Sequence, residues 1–230
     1  MESSDYHLFE RELGYTFANK LLLMEALTHS TYAYEHADEG INENERLEFL
    51  GDSVLGLTIT YQLLQVRPLL PEGKMSRIRA QIVREDTLYK AALSLGLTNF
   101  LRLGKGEEQT GGREKPSNLS NAVEAVFGAV YLDGGFDKAF AVVWRTMKPY
   151  FDLALHGKLL YDYKTTLIER VQAMGVDHRI EFVIINEEGP VHNRLFTVQV
   201  NIDGTGYGTG VGSSKKAAEQ RAASETLNML

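Results

Sequence analysis

The pattern of apolar residues changes character near His156-Gly157-Lys158, and this change confines the chain to two unlike domains. Before it, apolar side chains recur at helical spacing; after it, they alternate with period 2. Leu21, Leu22, Ala26 and Leu27 mark a helix ahead of Ser30 and Thr31. Further helices are predicted over 45–64, stopping before Arg67-Pro68, over 75–84, and over 86–95, ending at Gly96. Residues 104–116 read as a polar, Gly-rich loop. Helix returns over 118–132, closes at Asp133-Gly134-Gly135, and resumes over 136–155. Strand signals are almost absent from this part.

Beyond the change, 163–174 reads as an amphipathic helix ended by Gly175. A strand over 180–185 leads to a turn at Glu187-Glu188-Gly189-Pro190. A second strand over 195–200 leads to Asp203-Gly204, a strong hairpin signal, and a third covers 207–212. Ser213 or Ser214 then caps a helix that runs to the end. The predicted architecture is an all-α N-terminal domain over 1–157, a linker over 158–161, and a small α+β domain of order α-β-β-β-α over 162–230.

Composition narrows the chemistry. With no cysteine, disulfides, thiolate zinc sites and cysteine nucleophiles are excluded together. The N-terminus is polar and acidic, unlike a secretory signal, and no apolar run is long enough to span a membrane. The expectation is a soluble cytoplasmic protein without membrane contact. A net charge of −7 argues at first sight against nucleic acid, since phosphate binding is driven by Lys and Arg. Net charge is a weak witness where carboxylates gather to hold metal ions, because the ions invert the local field.

Glu45, Glu48 and Asp52 stand at i, i+3 and i+7 on one helix and share a face, with Leu47, Leu50, Val54 and Leu57 on the other side. A solvated acidic face is one reading. Against it, like charges at this spacing destabilise a helix unless neutralised, and the acids stand among apolar residues. A hard divalent cation resolves both. A second acidic element, Asn121-Ala122-Val123-Glu124, also lies in an apolar helix. If the two helices pack together, oxygen ligands converge in a set suited to magnesium, with manganese as a substitute ion.

The stretch Asn44-Glu45-Arg46-Leu47-Glu48-Phe49-Leu50-Gly51-Asp52-Ser53-Val54-Leu55 resembles the signature of the ribonuclease III family. The resemblance extends to Ala26-Leu27-Thr28-His29-Ser30, Gly73-Lys74-Met75-Ser76, Leu101-Arg102-Leu103-Gly104, Glu124-Ala125 and Leu132-Asp133-Gly134. It covers essentially the whole chain, in the bacterial arrangement of one nuclease domain and one binding domain. It implies metal-binding roles for Glu48, Asp52, Asn121 and Glu124, and catalytic roles for Asp52 and Glu124. Glu45 and Glu72 match acidic positions lining the same catalytic valley, and Phe49 matches an aromatic that plugs into a partner subunit. The implied enzyme is a homodimer without organic cofactor. It cuts double-stranded RNA in rRNA and mRNA processing, leaving 5′-phosphates and short 3′ overhangs. The chain departs from the pattern at Asn121, where the family most often has aspartate. Three readings compete: tolerated variation, weakened metal affinity, or an inactivating change. The retention of Glu48, Asp52 and Glu124 favours the first.

Residues 162–230 resemble the double-stranded RNA-binding domain through Asp162, Lys164, Thr165 and Leu167, through Gly208-Thr209-Gly210, and through Ser213-Ser214-Lys215-Lys216-Ala217-Ala218. Lys215 and Lys216 stand at a helix N-terminus behind Ser214, where backbone N–H groups favour phosphate. Thr165 and Glu169 on the first helix and His192 in the loop 189–193 are further expected RNA contacts. The domain holds 7 Lys+Arg against 9 Asp+Glu, which predicts weak, salt-sensitive binding. Ile168 replaces a residue that is often polar in this domain. Gly204-Thr205-Gly206-Tyr207-Gly208 reads as a hairpin rather than a nucleotide loop, since no Lys follows at P-loop spacing. His29 is expected to be a buried, hydrogen-bonded residue and Trp144 a core one. A non-cleaving binder of duplex RNA is the alternative, favoured only by Asn121. A small-molecule phosphoesterase is a third reading, opposed by the binding domain.

Overall fold

The computed structural model describes residues 3–157, 159, 163–174, 178–190 and 194–230, with side chains from Tyr6 onward. Asp162, Gly175, His192 and most of the expected linker lie outside the described residues. The chain divides into two compact units, Met1–Leu160 and Tyr161–Leu230.

The first unit runs α1 (Ser3–Leu13), α2 (Lys20–Ala26), α3 (Ser30–Glu35), α4 (Glu45–Gln65), α5 (Glu72–Ile82), α6 (Glu85–Ser94), α7 (Lys105–Gln109) and α8 (Pro116–Leu155). Its core gathers Phe9, Leu13, Leu23, Leu55, Ile59, Ile82, Val126 and Phe127, all nearly inaccessible. Three features depart from the sequence expectation. The polar N-terminal stretch is a helix, because Tyr6, Phe9 and Leu13 bury one stripe of it. The expected loop 104–116 contains α7 and a 3-10 turn over Gly112–Glu114. Leu57 is exposed, whereas Leu47 and Val54 are buried and Leu50 is half-buried. As expected, the long run of α8 is two helices, with a break at Gly135, whose φ of 77 and ψ of −179 are not helical. Asp133, just before the break, accepts from Tyr15 Oη at 2.7 Å, Ala18 N at 2.9 Å and Asn19 N at 2.8 Å. Burial raises both partners of the Tyr15–Asp133 bond. With that bond and the Asp133 charge, the phenol reaches about 12, while the bonds hold the carboxyl below its usual range.

The second unit runs α9 (Tyr163–Gln172), β1 (Ile180–Glu188), β2 (Leu195–Ile202), β3 (Thr205–Gly212) and α10 (Lys215–Met229). The strands form one antiparallel sheet of order β1-β2-β3. Phe182 pairs with Val200 and Val198 with Gly210; the register slips between Ile184 and Asn186. Strand β1 continues through Glu187 and Glu188, which were expected in the turn. The Asp203-Gly204 turn has φ 52 and 80 at its two residues, the left-handed backbone that this dipeptide tolerates. Leu167, Val171, Val198, Val200, Ala218 and Ala222 form the core. On β3, a Cβ at Gly208 would lie 2.5 Å from Thr226 N, at Gly210 2.3 Å from Ala218 O, and at Gly212 2.6 Å from Ala218 N. The alternate glycines therefore let the strand backbone rest on the helix backbone.

Candidate metal centre and nucleic-acid interface

The start of α4 is fixed by buried Asn44. Its backbone N–H donates to Thr28 O at 3.0 Å and its Nδ2 to Ala26 O at 3.3 Å. Further along, α4 and α8 touch through their backbones at two glycines. A Cβ on Gly51 would stand 1.7 Å from the Glu124 carbonyl oxygen, and one on Gly128 would stand 2.2 Å from that of Leu47. Only glycine permits this approach. It turns Glu48 and Asp52 of one helix toward Asn121 and Glu124 of the other.

The electrostatics report that convergence. Burial, then the charges of Asp52 and Glu48, push the Glu124 carboxyl up to about 8. Burial also raises Glu48, with Glu45 adding to the rise, while a hydrogen bond with the Asn121 side chain opposes it. Ser120 Oγ donates to Asn121 Oδ1 at 3.4 Å. Glu45 is exposed at the rim, near enough to act on Glu48. Glu72 stands elsewhere in the single chain. It accepts from Ser76 Oγ at 2.6 Å and shares a groove with Thr60, Leu63, Leu64 and Arg79, more than two helical turns beyond Asp52. Phe49 is 81% exposed, with Leu57, Tyr61 and Leu64 also uncovered along α4. His29 is half-buried and caps α3, its Nδ1 accepting from Thr31 N. Trp144 packs against the core.

The donor set is three carboxylates and one amide, oxygen throughout, which fits a hard divalent cation. A carboxylate cluster that holds a proton near neutrality is also the arrangement a cation relieves. Among the described residues, no group of three or more His, Asp or Glu side chains is placed to hold a metal ion by itself. Magnesium asks less of the protein, because it keeps several waters and takes oxygens from a substrate. Sequence reasoning missed Gly51 and Gly128. Their only signal was a glycine inside a helical run beside a candidate ligand.

In the second unit, Ser214 caps α10, its Oγ accepting from Ala217 N at 3.2 Å. Lys215 and Lys216 follow, both exposed. Lys215 Nζ lies 3.9 Å from Glu187 Oε1 and 5.7 Å from the Phe196 ring centroid. Thr165 and Glu169 are on the exposed face of α9.

A family model described as Ribonuclease-III-like matches residues 19–150, and one described as a double-stranded RNA binding motif matches residues 163–230. Among similar proteins, Ribonuclease 3 of Syntrophotalea carbinolica is 43% identical over 230 residues, spanning 100% of this chain and 99% of its own length. Ribonuclease 3 of Caldanaerobacter subterraneus subsp. tengcongensis is 47% identical over 221 residues, 96% of each chain. A solved structure of the nuclease domain of ribonuclease III from Campylobacter jejuni superposes with a TM-score of 0.58 at 40% identity, covering 63% of this chain and 97% of that one. The chain belongs to the ribonuclease III family.

Proposed function

We propose that this chain is an endoribonuclease that hydrolyses double-stranded RNA with magnesium, manganese serving as a substitute. The observation that carries the reading is the convergence of Glu48, Asp52 and Glu124 with Asn121 across the α4–α8 contact, in a chain that also holds an α-β-β-β-α module. Glu48, Asp52, Asn121 and Glu124 would hold the ion through oxygen. The ion, when bound, supplies Lewis-acid stabilisation of phosphoryl oxygens and lowers the pKa of an attacking water. Asp52 and Glu124 would orient the attacking water and take up its proton; burial first, and then the charges of Asp52 and Glu48, raise the basicity of Glu124. Glu45 extends the acidic rim toward the substrate. The second unit, with Ser214, Lys215 and Lys216 at a helix N-terminus and Thr165 and Glu169 on α9, meets the duplex by shape and phosphates. His192 is a further proposed RNA contact.

Exposed Phe49 and the apolar α4 face beside it support a homodimer in which each site cuts one strand. The C. jejuni structure concerns a region involved in dimer formation. In such a dimer Glu72 would act in a valley formed by both chains. We place the nuclease module at 1–157 and the binding module at 162–230, with 158–161 as linker, acting in cytoplasmic rRNA and mRNA processing. No helix among the described residues is long and apolar enough to cross a membrane.

A labelled RNA duplex tests the reading. With magnesium, cleavage to fragments bearing 5′-phosphates and short 3′ overhangs is expected; with calcium, binding without cleavage. Binding without cleavage in both ions refutes the enzyme and establishes a masking protein, the outcome that Asn121 in place of an acid would favour.

A further inference from the structure

We propose that Glu107 and Asn118 are positioning residues that set the spacing of the two carboxylate-bearing helices, an inference that rests on the metal-site reading above. The segment 104–116 contains no aliphatic or aromatic side chain, apart from the Pro116 ring, yet it is ordered. Its order comes from polar bonds to fixed points. Gly104 N donates to Thr31 Oγ1 and Lys105 N to Glu35 Oε2, each at 3.0 Å. Arg113 Nη1 donates to Thr98 O at 2.7 Å and Leu101 O at 3.0 Å, and the same guanidinium pairs with Glu108. The segment then grips α8. Asn118 is nearly buried, and its Nδ2 donates to Glu107 Oε1 at 2.8 Å and to Gly112 O at 2.9 Å, so both amide hydrogens are used. A Cβ on Gly112 would lie 2.4 Å from Glu107 Cγ, so the Glu107 arm packs directly over the bare face of this glycine.

Asn118 stands one turn before Asn121 on the same face of α8. The opposite end of this frame holds α4. Arg102 N donates to Leu27 O at 2.8 Å and His29 N to Arg102 O at 3.0 Å, on either side of Thr28, whose carbonyl receives Asn44 N. Leu101 and Arg102 thus connect the segment gripping α8 with the residues anchoring α4. Glu107 and Asn118 reach the metal ligands only through the first turn of α8, which they hold in place.

The test is calorimetric titration of magnesium chloride into the full-length protein, with a melting curve for each variant. Glu107→Ala and Asn118→Ala are each expected to weaken magnesium binding about tenfold, the lower end for groups that orient metal ligands. Glu107→Gln keeps an oxygen for Asn118 and is expected to bind within about twofold of the parent. Val143→Ala, in the buried part of α8 beyond Gly135, lowers the melting temperature but leaves magnesium affinity unchanged. Parent-like affinity in both alanine variants refutes the positioning role. An equal affinity loss in Val143→Ala refutes it too, by reducing the effect to lost stability. A parent protein that binds no magnesium refutes instead the site reading on which the proposal rests.

Discussion

Replacing Gly51 with alanine isolates the contact on which the candidate site depends. The added methyl would fall 1.7 Å from the Glu124 carbonyl oxygen. Non-bonded heavy atoms pack at about 3.5–4 Å, so the helices must separate by roughly 2 Å along that line. Overpacking of this kind costs about 1–3 kcal/mol, and the backbone character of the obstacle places it at the upper end. Alanine recovers about 1 kcal/mol through helix propensity. The expected net loss is about 2 kcal/mol, or roughly 4–8 °C in the melting temperature of a unit this size. The same separation moves Glu48 and Asp52 away from Asn121 and Glu124. A displacement of about 1 Å at a reacting centre is enough for a hundredfold loss. Gly56→Ala is the matched control, since nothing lies within 4 Å of a Cβ there. It should be as stable as the parent or more so, with unchanged cleavage. Thermal melting and cleavage of an end-labelled duplex across a magnesium series measure both quantities. Parent-like stability and activity in Gly51→Ala would refute the backbone contact as the determinant of the site.

Glu124→Gln should abolish magnesium-dependent cleavage while leaving duplex binding intact. In EDTA the parent holds a proton on Glu124 up to about 8, whereas an unfolded glutamate loses it near 4.3, so parent stability falls as pH rises between those values; the Gln variant should lack that fall in denaturant titrations across the range. Asp133→Asn removes a charged acceptor from three donors and should cost about 1–2 kcal/mol. Because the bonds depress this carboxyl, its contribution is present above about 4 and lost as pH falls through the lower folded value, which acid melting curves will show. Lys215→Ala with Lys216→Ala should weaken duplex binding uniformly across sequences and flatten its salt dependence by about one to two in log–log slope. An unchanged slope in a gel-shift series would remove α10 from the RNA interface.

The sequence announced elements whose cause is local. The Asp203-Gly204 turn, the Ser214 cap and the apolar run of α4 each carry their signal within a few residues. Elements stabilised by distant partners stayed hidden. Helix α7 is short and polar, and its first N–H groups are satisfied by Thr31 and Glu35, some 70 residues away. Helix α1 looked polar because its three buried apolar residues, Tyr6, Phe9 and Leu13, are spread across about two turns. For the site, the ligand candidates were legible as acids at helical spacing. What brings them together was not, because a glycine announces a close approach without naming the partner. Glu72 shows the limit from the other side, since matching a position in a motif does not bring it into the groove of Glu48, Asp52 and Glu124 within the chain.

The glycines of β3 bear on how the second unit can change. Where strand and helix meet main chain to main chain, their separation is fixed by van der Waals contact of backbone atoms rather than by side-chain volume. The tip of α10 therefore keeps its height above the sheet whichever aliphatic residues fill the rest of the core. Positions such as Ile168, Thr165 and Lys216 can drift in identity without tilting the platform that carries them. Such a scaffold tolerates rewriting of its outer surface and forbids it along a single line of three residues.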